Sequence, residues 1–279
     1  MAAPRFYVAG LGPDLVGAEY TLPDAVAHHA VRVNRLGPGD ALVLFDGSGG
    51  EYAGTLVVAD RRAARARIDA FDPVERESPL DVVLVQTIIA NDAMDYAVRK
   101  AVELGVSEIA PVTSSRSAPL PAGERADRRL AHWRQVAIAA CEQCGRNRVP
   151  PVRAPVDLGE FAFAGPESVP GGAAPYADDV DHDHHPTLHA TPRGPVPAPA
   201  PARIAYICAP GCATPLAAVP RVPRCAVVVG PEGGFTAAEV AMATGRGAVA
   251  VSLGPRVLRA ETAAVVVLAV LQARCGDLG

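Results

Sequence analysis

The stretch that decides the fold is Val227–Val240, "VVVGPEGGFTAAEV". Valines run into Gly230, a proline turn with two more glycines follows, and Thr236 opens a helical pattern. A continuous apolar run of this kind predicts a strand buried on both faces. Thr236 and Glu239 have the spacing of a capping box, which predicts a helix beginning just after Thr236. A strand, a bare turn and a helix form the repeating unit of a parallel α/β sheet. The turn at the carboxyl end of such a strand is where open α/β sheets hold ligands. Gly230, Gly233 and Gly234 leave the backbone uncovered, so a ligand can lie directly on it, and Glu232 is the one charge among them. The spacing is not G-x-G-x-x-G, so the dinucleotide fingerprint is not met.

A second turn of the same kind lies downstream, "SLGPRVLRAETAA" (Ser252–Ala264). It too follows a short apolar strand and precedes a helix. Gly254 and Pro255 turn the chain, Arg256 and Arg259 stand on the turn, and Glu261 and Thr262 begin the helix. Two such turns can form the floor and wall of one pocket. Equally, Arg259 and Glu261 can serve only to interact with the end of that helix.

The same punctuation organises the rest of the chain. Up to about residue 75 the pattern is mostly β. "RFYVAG" is a short strand, "DAVAHHAVRVNRL" a short helix, "GDALVLFDGSGGEYAGTLVVA" a hairpin around Asp-Gly, and "ARARIDAF" a half-buried strand. Several short strands with one helix predict a small barrel. "DPVERESP" is a linker. From Leu80, strand and helix alternate: "DVVLVQTII", "NDAMDYAVRKAVELG", "VSEIAPV", "ERADRRLAHWRQVAIAACEQCG", "RIAYICA", "CAVVVG", "TAAEVAMATG", "AVAVSLG" and "ETAAVVVLAVLQARC". This predicts an α/β domain over 76–279 with a mostly parallel sheet. The tract from about 164 to 202 is Pro, Ala, Gly, Asp and His without a period, and reads as a disordered insertion.

Composition narrows the chemistry. Hydrophobic residues make up 49% and aromatics only 5%, so Ala, Val and Leu must fill the core. Lys100 is the single lysine and lies outside any glycine turn, which excludes a P-loop. The opening "MAAPRFYVAGLGPD" has no sustained apolar core, so no signal peptide is expected. The longest apolar run, Thr262–Ala273, is shorter than the roughly 20 residues a bilayer requires, so no membrane span is expected. Six cysteines without a secretion signal read as reduced thiols of a cytoplasmic protein; Cys141 and Cys144, mid-helix, read as buried. His182, His184, His185 and His189 are metal-ligand types, but their tract lacks the surroundings that fix ligands, and no metal is expected.

The net charge of −4 hides an asymmetry. Arg116, Arg125, Arg128, Arg129, Arg134, Arg146, Arg148 and Arg153 face only Glu124, Asp127 and Glu142, a surplus of five positive charges over that segment. Such a patch can hold a phosphate backbone, or it can be a solvated helix face.

Taken together, "VVVGPEGGFTAAEV" and "VSLGPRVLRAETAA" resemble the signature of the RsmE family, the 16S ribosomal RNA uracil-N3 methyltransferases of the SPOUT superfamily. "PRFYV", "HHAVRVNRLGPGD", "FDGSGGEYAG", "DAMDYAVRKAVELGVSEIAPVTSSRS" and "AACEQCGRNRVP" agree in order. The resemblance spans the chain outside the insertion. It implies a PUA-like RNA-binding β-barrel over 1–75 and a SPOUT domain over 76–279 with a deep trefoil knot at its carboxyl end. It implies S-adenosylmethionine held by Gly230, Pro231, Glu232, Gly233, Gly234, Leu253, Gly254, Leu258, Arg259, Glu261 and Thr262. Arg259 is the candidate for favouring the uracil anion or holding a phosphate or carboxylate. Glu232 is the candidate for taking the proton or holding cofactor polar groups. Arg5, Arg32, Arg35, Arg116 and Arg146 are candidate RNA contacts. The partners implied are 16S ribosomal RNA, in the small subunit, and a second copy of the chain. A SPOUT enzyme with another RNA target, or a non-catalytic RNA-binding protein of this fold, is the alternative. The chain departs from the family at Ala90 and Asn91, where a lysine and a glycine are usual. The knot also implies that the apolar helix after Glu261 is buried all round.

Overall fold

The computed structural model describes residues 3–60, 63–120, 123–163 and 203–279. The insertion expected over 164–202, with its four histidines, lies outside the described residues.

The first sheet is built from β1 (Arg5–Tyr7), β2 (Glu19–Thr21), β3 (Ala41–Phe45), β4 (Glu51–Val58) and β5 (Arg65–Asp72), in the order β1-β3-β4-β5-β2. A short helix, α1 (Asp24–His28), runs on into a π-helical turn over His29–Val33. Alternation sets the buried side: Tyr52 and Leu56 of β4, with Ala66 and Ile68 of β5, close over Phe6, Leu42, Leu44 and the helix residues Ala27 and Ala30. The β3–β4 turn needs its glycines. Gly47, Gly49 and Gly50 all have positive φ, while Asp46 Oδ1 accepts from Ser48 N at 2.9 Å. β2 is three residues long and buries none of them, so no apolar run reveals it in the sequence.

The second sheet has six strands, all parallel: β6 (Asp81–Thr87), β7 (Glu108–Thr113), β8 (Val156–Asp157), β9 (Ile204–Cys208), β10 (Arg224–Val229) and β11 (Val249–Val251). Their order is β11-β9-β10-β6-β7-β8. β6 and β10 lie side by side at its centre and are buried on both faces, as their apolar runs predict. One face packs on α2 (Asn91–Glu103), α3 (Glu124–Cys144) and α5 (Ala260–Cys275). The other packs on α4 (Ala237–Gly245) and on Leu158 and Phe163. Met94, Ala97, Val98, Ala101 and Val102 form the buried stripe of α2. Gly145, in the left-handed conformation, ends α3. α5 departs from the expected all-round burial: Ala264, Val267, Leu268 and Leu271 are buried, whereas Val265, Val266, Ala269 and Val270 are half-buried. Among the described residues no helix is long and apolar enough to cross a membrane.

A polar clamp joins the two sheets where the linker passes the end of α3. Arg5 lies 5.1 Å over the Phe45 ring, pairs with Glu51 at 2.5 Å and donates to Asn147 Oδ1. Arg76 pairs with the same Glu51 at 2.9 Å. Arg146, 4% exposed, pairs with Glu77 and donates to the carbonyls of Val102 and Val106, each at 3.0 Å. Asn147 Nδ2 donates to Val74 O at 2.8 Å, and Glu142 Oε1 accepts from Tyr7 N at 2.9 Å. Arg5 and Arg146, read from the sequence as RNA contacts, therefore have their guanidiniums engaged inside the protein.

Burial pushes the Glu51 carboxyl up, but hydrogen bonds from Arg76 and Arg5 outweigh it and hold it at about 2 against an ordinary 4.5. A carboxylate lowered on folding stabilises fully above its unfolded value, and that stabilisation fades as pH falls from 4.5 toward 2. Glu51→Gln is expected to lower the melting temperature at pH 7 and to flatten its dependence on pH below 4.5. Thermal unfolding of both proteins from pH 7 to pH 3 checks this; parallel curves would show that Glu51 is not the acid-sensitive group.

Candidate functional site

Because the six strands are parallel, the loops following β6, β9, β10 and β11 leave the sheet at one edge. The loop after β10 is the glycine turn. Gly234 N donates to Pro231 O at 2.9 Å, and Gly234 has φ +66°. Thr236 then caps α4: its Oγ accepts from Glu239 N at 3.2 Å, and Glu239 Oε2 accepts from Thr236 N at 2.8 Å, the capping box expected from the sequence.

Neighbouring loops fasten this turn at three points. Glu239 Oε1 accepts from Ser115 N at 2.8 Å, in the loop after β7. Arg116 donates to Gly233 O at 2.9 Å from the same loop. Glu232 Oε1 accepts from Ala90 N at 3.1 Å, where β6 hands over to α2. Burial raises the Glu239 carboxyl, but hydrogen bonds from Ser115 and Thr236 outweigh it and leave it below the usual value.

The glycines do not all serve one purpose. A Cβ on Gly230 would lie 3.2 Å from the Phe235 ring, and one on Gly233 would lie 3.3 Å from Arg116. Those two are small because the protein's own side chains lie on them, rather than to leave side-chain space for a ligand. Gly234 and Gly254 differ: both have positive φ, +66° and +104°, and no atom lies within 4 Å of a Cβ built there.

The second turn comes up against the first. Both line one cavity of about 270 Å³, together with Cys208, Ala209 and Pro210 at the end of β9. Of the residues read from the sequence, Gly230, Pro231, Glu232, Gly233, Gly234, Leu253, Gly254 and Leu258 line it. Arg259, Glu261 and Thr262 stand at the start of α5 outside the lining; Arg259 is exposed, and its guanidinium makes no hydrogen bond or ion pair among the described residues. Phe235, Arg256, Val257, Ala263 and the β9 end are among the further lining residues that were not read as site residues. No motif marks the β9 residues. Only the strand order, with β9 between β11 and β10, brings them there. Arg32 and Arg35 are exposed on the first sheet's helical corner, and Arg116 is exposed beside the glycine turn.

The wall combines apolar side chains (Leu253, Val257, Leu258 and Ala263) with bare backbone, which suits a ligand having a flat apolar part and several polar groups. Cys208 is no nucleophile: burial pushes its thiol up to about 12. Among the described residues no cluster of His, Cys, Asp and Glu could hold a metal ion.

Comparison with known proteins agrees with this geometry. Residues 76–169 and 198–272 match a family described as an RNA methyltransferase domain. Residues 22–69 match one described as an RNA methyltransferase PUA domain. The ribosomal RNA small subunit methyltransferase E of Mycobacterium bovis is 33% identical over 268 residues, covering 96% of this chain and 90% of the relative. That of Synechocystis is 28% identical over 266 residues, covering 93% and 74%. The crystal structure of a ribosomal RNA small subunit methyltransferase E from Neisseria gonorrhoeae bound to S-adenosyl methionine has a TM-score of 0.79 at 33% identity, with 100% of each chain covered.

The capping box gives a stability prediction. Thr236→Ala should cost about 1 kcal/mol, as for other caps. Glu239→Ala should cost more, because it also releases Ser115 of the facing loop. Chemical denaturation of both variants checks the order; a smaller loss for Glu239→Ala would mean the tie between loops contributes nothing.

Proposed function

The chain belongs to the RsmE family of ribosomal RNA small subunit methyltransferases, and on that premise we propose how its residues serve the reaction. It is an S-adenosylmethionine-dependent methyltransferase of 16S ribosomal RNA. One observation carries the reading: both glycine turns and the end of β9 close on a single cavity, in a chain that aligns along its whole length with a relative bound to S-adenosyl methionine.

The cavity fits the cofactor. Side-chain space is open at Gly234 and Gly254, apolar surface is offered by Leu253, Leu258 and Ala263, and the backbone of Gly230, Glu232 and Gly233 supplies polar groups. When bound, the cofactor supplies a methyl group on a sulfonium sulfur, which is already electrophilic. The protein's part is to align the nucleophile with that methyl and to make the nucleophile competent.

We assign N3 of a uridine as that nucleophile. Its proton must leave before it can attack. Glu232, anchored through Oε1 on Ala90 N, keeps its other oxygen to accept that proton. Arg259, uncommitted at the start of α5, favours the uracil anion by its charge. The base must be accessible, as it is in single-stranded or looped RNA. Arg32, Arg35 and Arg116 are exposed and hold phosphates in this reading; Arg5 and Arg146, engaged in the clamp, do not.

The sheet of β1–β5 forms the RNA-binding domain of residues 1–75, and the parallel sheet forms the methyltransferase domain of 76–279. The working unit is a homodimer. Val257, 84% exposed at the cavity rim, and the half-buried valines of α5 are apolar surface that a second copy would cover. We infer a cytoplasmic enzyme from its ribosomal RNA substrate.

Methyl transfer to purified 30S subunits and to naked 16S RNA, followed by mass spectrometry of the nucleosides, tests the reaction. 3-Methyluridine is the expected product, and any other methylated nucleoside refutes the N3 assignment. Glu232→Gln should lower kcat by about 10²–10⁴-fold with the cofactor Kd held; a raised Kd at unchanged kcat would instead give Glu232 to the cofactor. Gly254→Val should weaken cofactor binding at least tenfold by calorimetry, since its side chain enters open space and its φ costs about 1–3 kcal/mol. Unchanged affinity would remove the second turn from the cofactor site.

A further inference from the structure

Outside the cofactor cavity, α2 and α3 enclose a second cleft of about 380 Å³, lined by Asn91, Asp95, Arg128, Arg129, His132 and Trp133. Trp133 is 1% exposed and forms its floor. The Arg129 guanidinium lies 5.5 Å over that ring, donates to Asn91 Oδ1 and reaches Pro119 O at 3.3 Å, so it is held in place before any ligand arrives. Arg128 is exposed, and its guanidinium has one partner among the described residues, the still more exposed Glu124 at 3.4 Å. On the α2 side, Asp95 Oδ2 meets His132 Nε2 at 2.7 Å. The other oxygen, Asp95 Oδ1, is shielded and has no hydrogen-bond partner among the described residues.

The cleft thus offers cations beside an acceptor that lacks a donor. Guanidiniums bind phosphate oxygens. A shielded carboxylate oxygen without a donor calls for a hydroxyl. Within a nucleic acid backbone the only hydrogen-bond donor is the 2′-hydroxyl of ribose, and a phosphate lies next to it. That hydroxyl is what separates RNA from DNA. The cleft is also next to the reaction centre, because Asn91 follows Ala90, whose N–H holds Glu232. A strand whose target base reaches Glu232 carries its flanking backbone past Asn91.

We propose that the α2–α3 cleft is an RNA backbone subsite, in which Arg128 and Arg129 bind a phosphate and Asp95 Oδ1, uncovered as the exposed His132 ring turns aside, accepts from the adjoining 2′-hydroxyl. The proposal deepens the RNA methyltransferase reading and rests on it for the nature of the strand. It adds three substrate-binding residues to those already assigned.

Fluorescence anisotropy with a labelled single-stranded uridine-containing RNA, and with the same sequence in 2′-deoxy form, tests it on the full chain. The native protein should prefer the ribose strand by about fivefold, the effect of one hydrogen bond. Asp95→Ala should abolish that preference. Arg128→Ala should weaken binding of both strands several-fold and reduce the dependence of log K on log salt by about 0.7, one phosphate contact to a single strand. Arg129→Ala should act in the same direction. Since Arg129 also contacts Asn91 and Trp133, Arg128→Ala with unchanged melting temperature and cofactor affinity is the deciding variant. Equal affinities and slopes across these variants, or no binding of the RNA by the native protein, overturn the subsite. Native protein that shows the cleft-dependent binding but leaves 30S subunits unmethylated refutes the methylation reading instead and leaves the subsite standing.

Discussion

Parallel strands all end on the same edge of their sheet, and the functional half of this molecule depends on that constraint. β6, β9, β10 and β11 each reach that edge, and the loop that follows each of them is drawn into one neighbourhood. The central strands are held by apolar burial on both faces, so the edge is a rigid platform rather than a mobile one. The turns on the platform are then fixed by few bonds. Glu239 serves two loops with one carboxylate, Arg116 reaches a carbonyl of the glycine turn, and Glu232 is held by the amide of Ala90, between β6 and α2. Charge-assisted bonds to backbone suit this purpose, since each fixes main-chain position without filling the space a ligand needs.

Much of this was legible because periodicity and turn chemistry are local signals. The valines before Gly230, the stripe of α2 and the spacing of Thr236 and Glu239 each report on a few neighbouring residues, and each formed the element they indicate. What was not legible depends on contacts remote in sequence. Arg5 meets Glu51, 46 positions away, and Arg146 meets Glu77, 69 positions away, so an arginine's charge says nothing of whether it is already engaged. The β9 end enters the cavity only through strand order. The glycines show the same limit. Their bareness was evident, but that Phe235 lies on Gly230 and Arg116 on Gly233 is a fact of three-dimensional packing. β2 and β8 escaped for a simpler reason: they are short and bury no residue, so no apolar run marks them as it marks the equally short β1 and β11.

The clamp between the sheets raises a question of energetics. Arg146 is almost fully buried, and burying an ion pair costs desolvation that its Coulomb attraction roughly repays. Its net contribution to stability is therefore modest. Its effect on geometry is larger, because the guanidinium also takes two carbonyls around the end of α2, while Asn147 binds the linker backbone at Val74. A group with this many directional demands is satisfied in one arrangement of linker, α2 and α3. The small sheet is thereby fixed in orientation relative to the parallel sheet.

The chemistry explains why the site has so few reactive side chains. Transfer from a sulfonium needs no covalent intermediate on the protein, and the one thiol in the cavity wall, Cys208, is kept protonated by burial. With N3 of a uridine as the proposed nucleophile, the remaining barrier lies in alignment and in removing one proton. Alignment is the contribution that a rigid edge with fastened turns makes best, since holding two reactants in register can contribute about 7–11 kcal/mol of rate acceleration without any charged group acting on them. In the proposed role of Glu232, a carboxylate held at its other oxygen by a backbone amide then needs only to face the right atom. On this view the bareness of the turns and the density of bonds beneath them are one design: what is left empty above the backbone is made useful by what is tied below it.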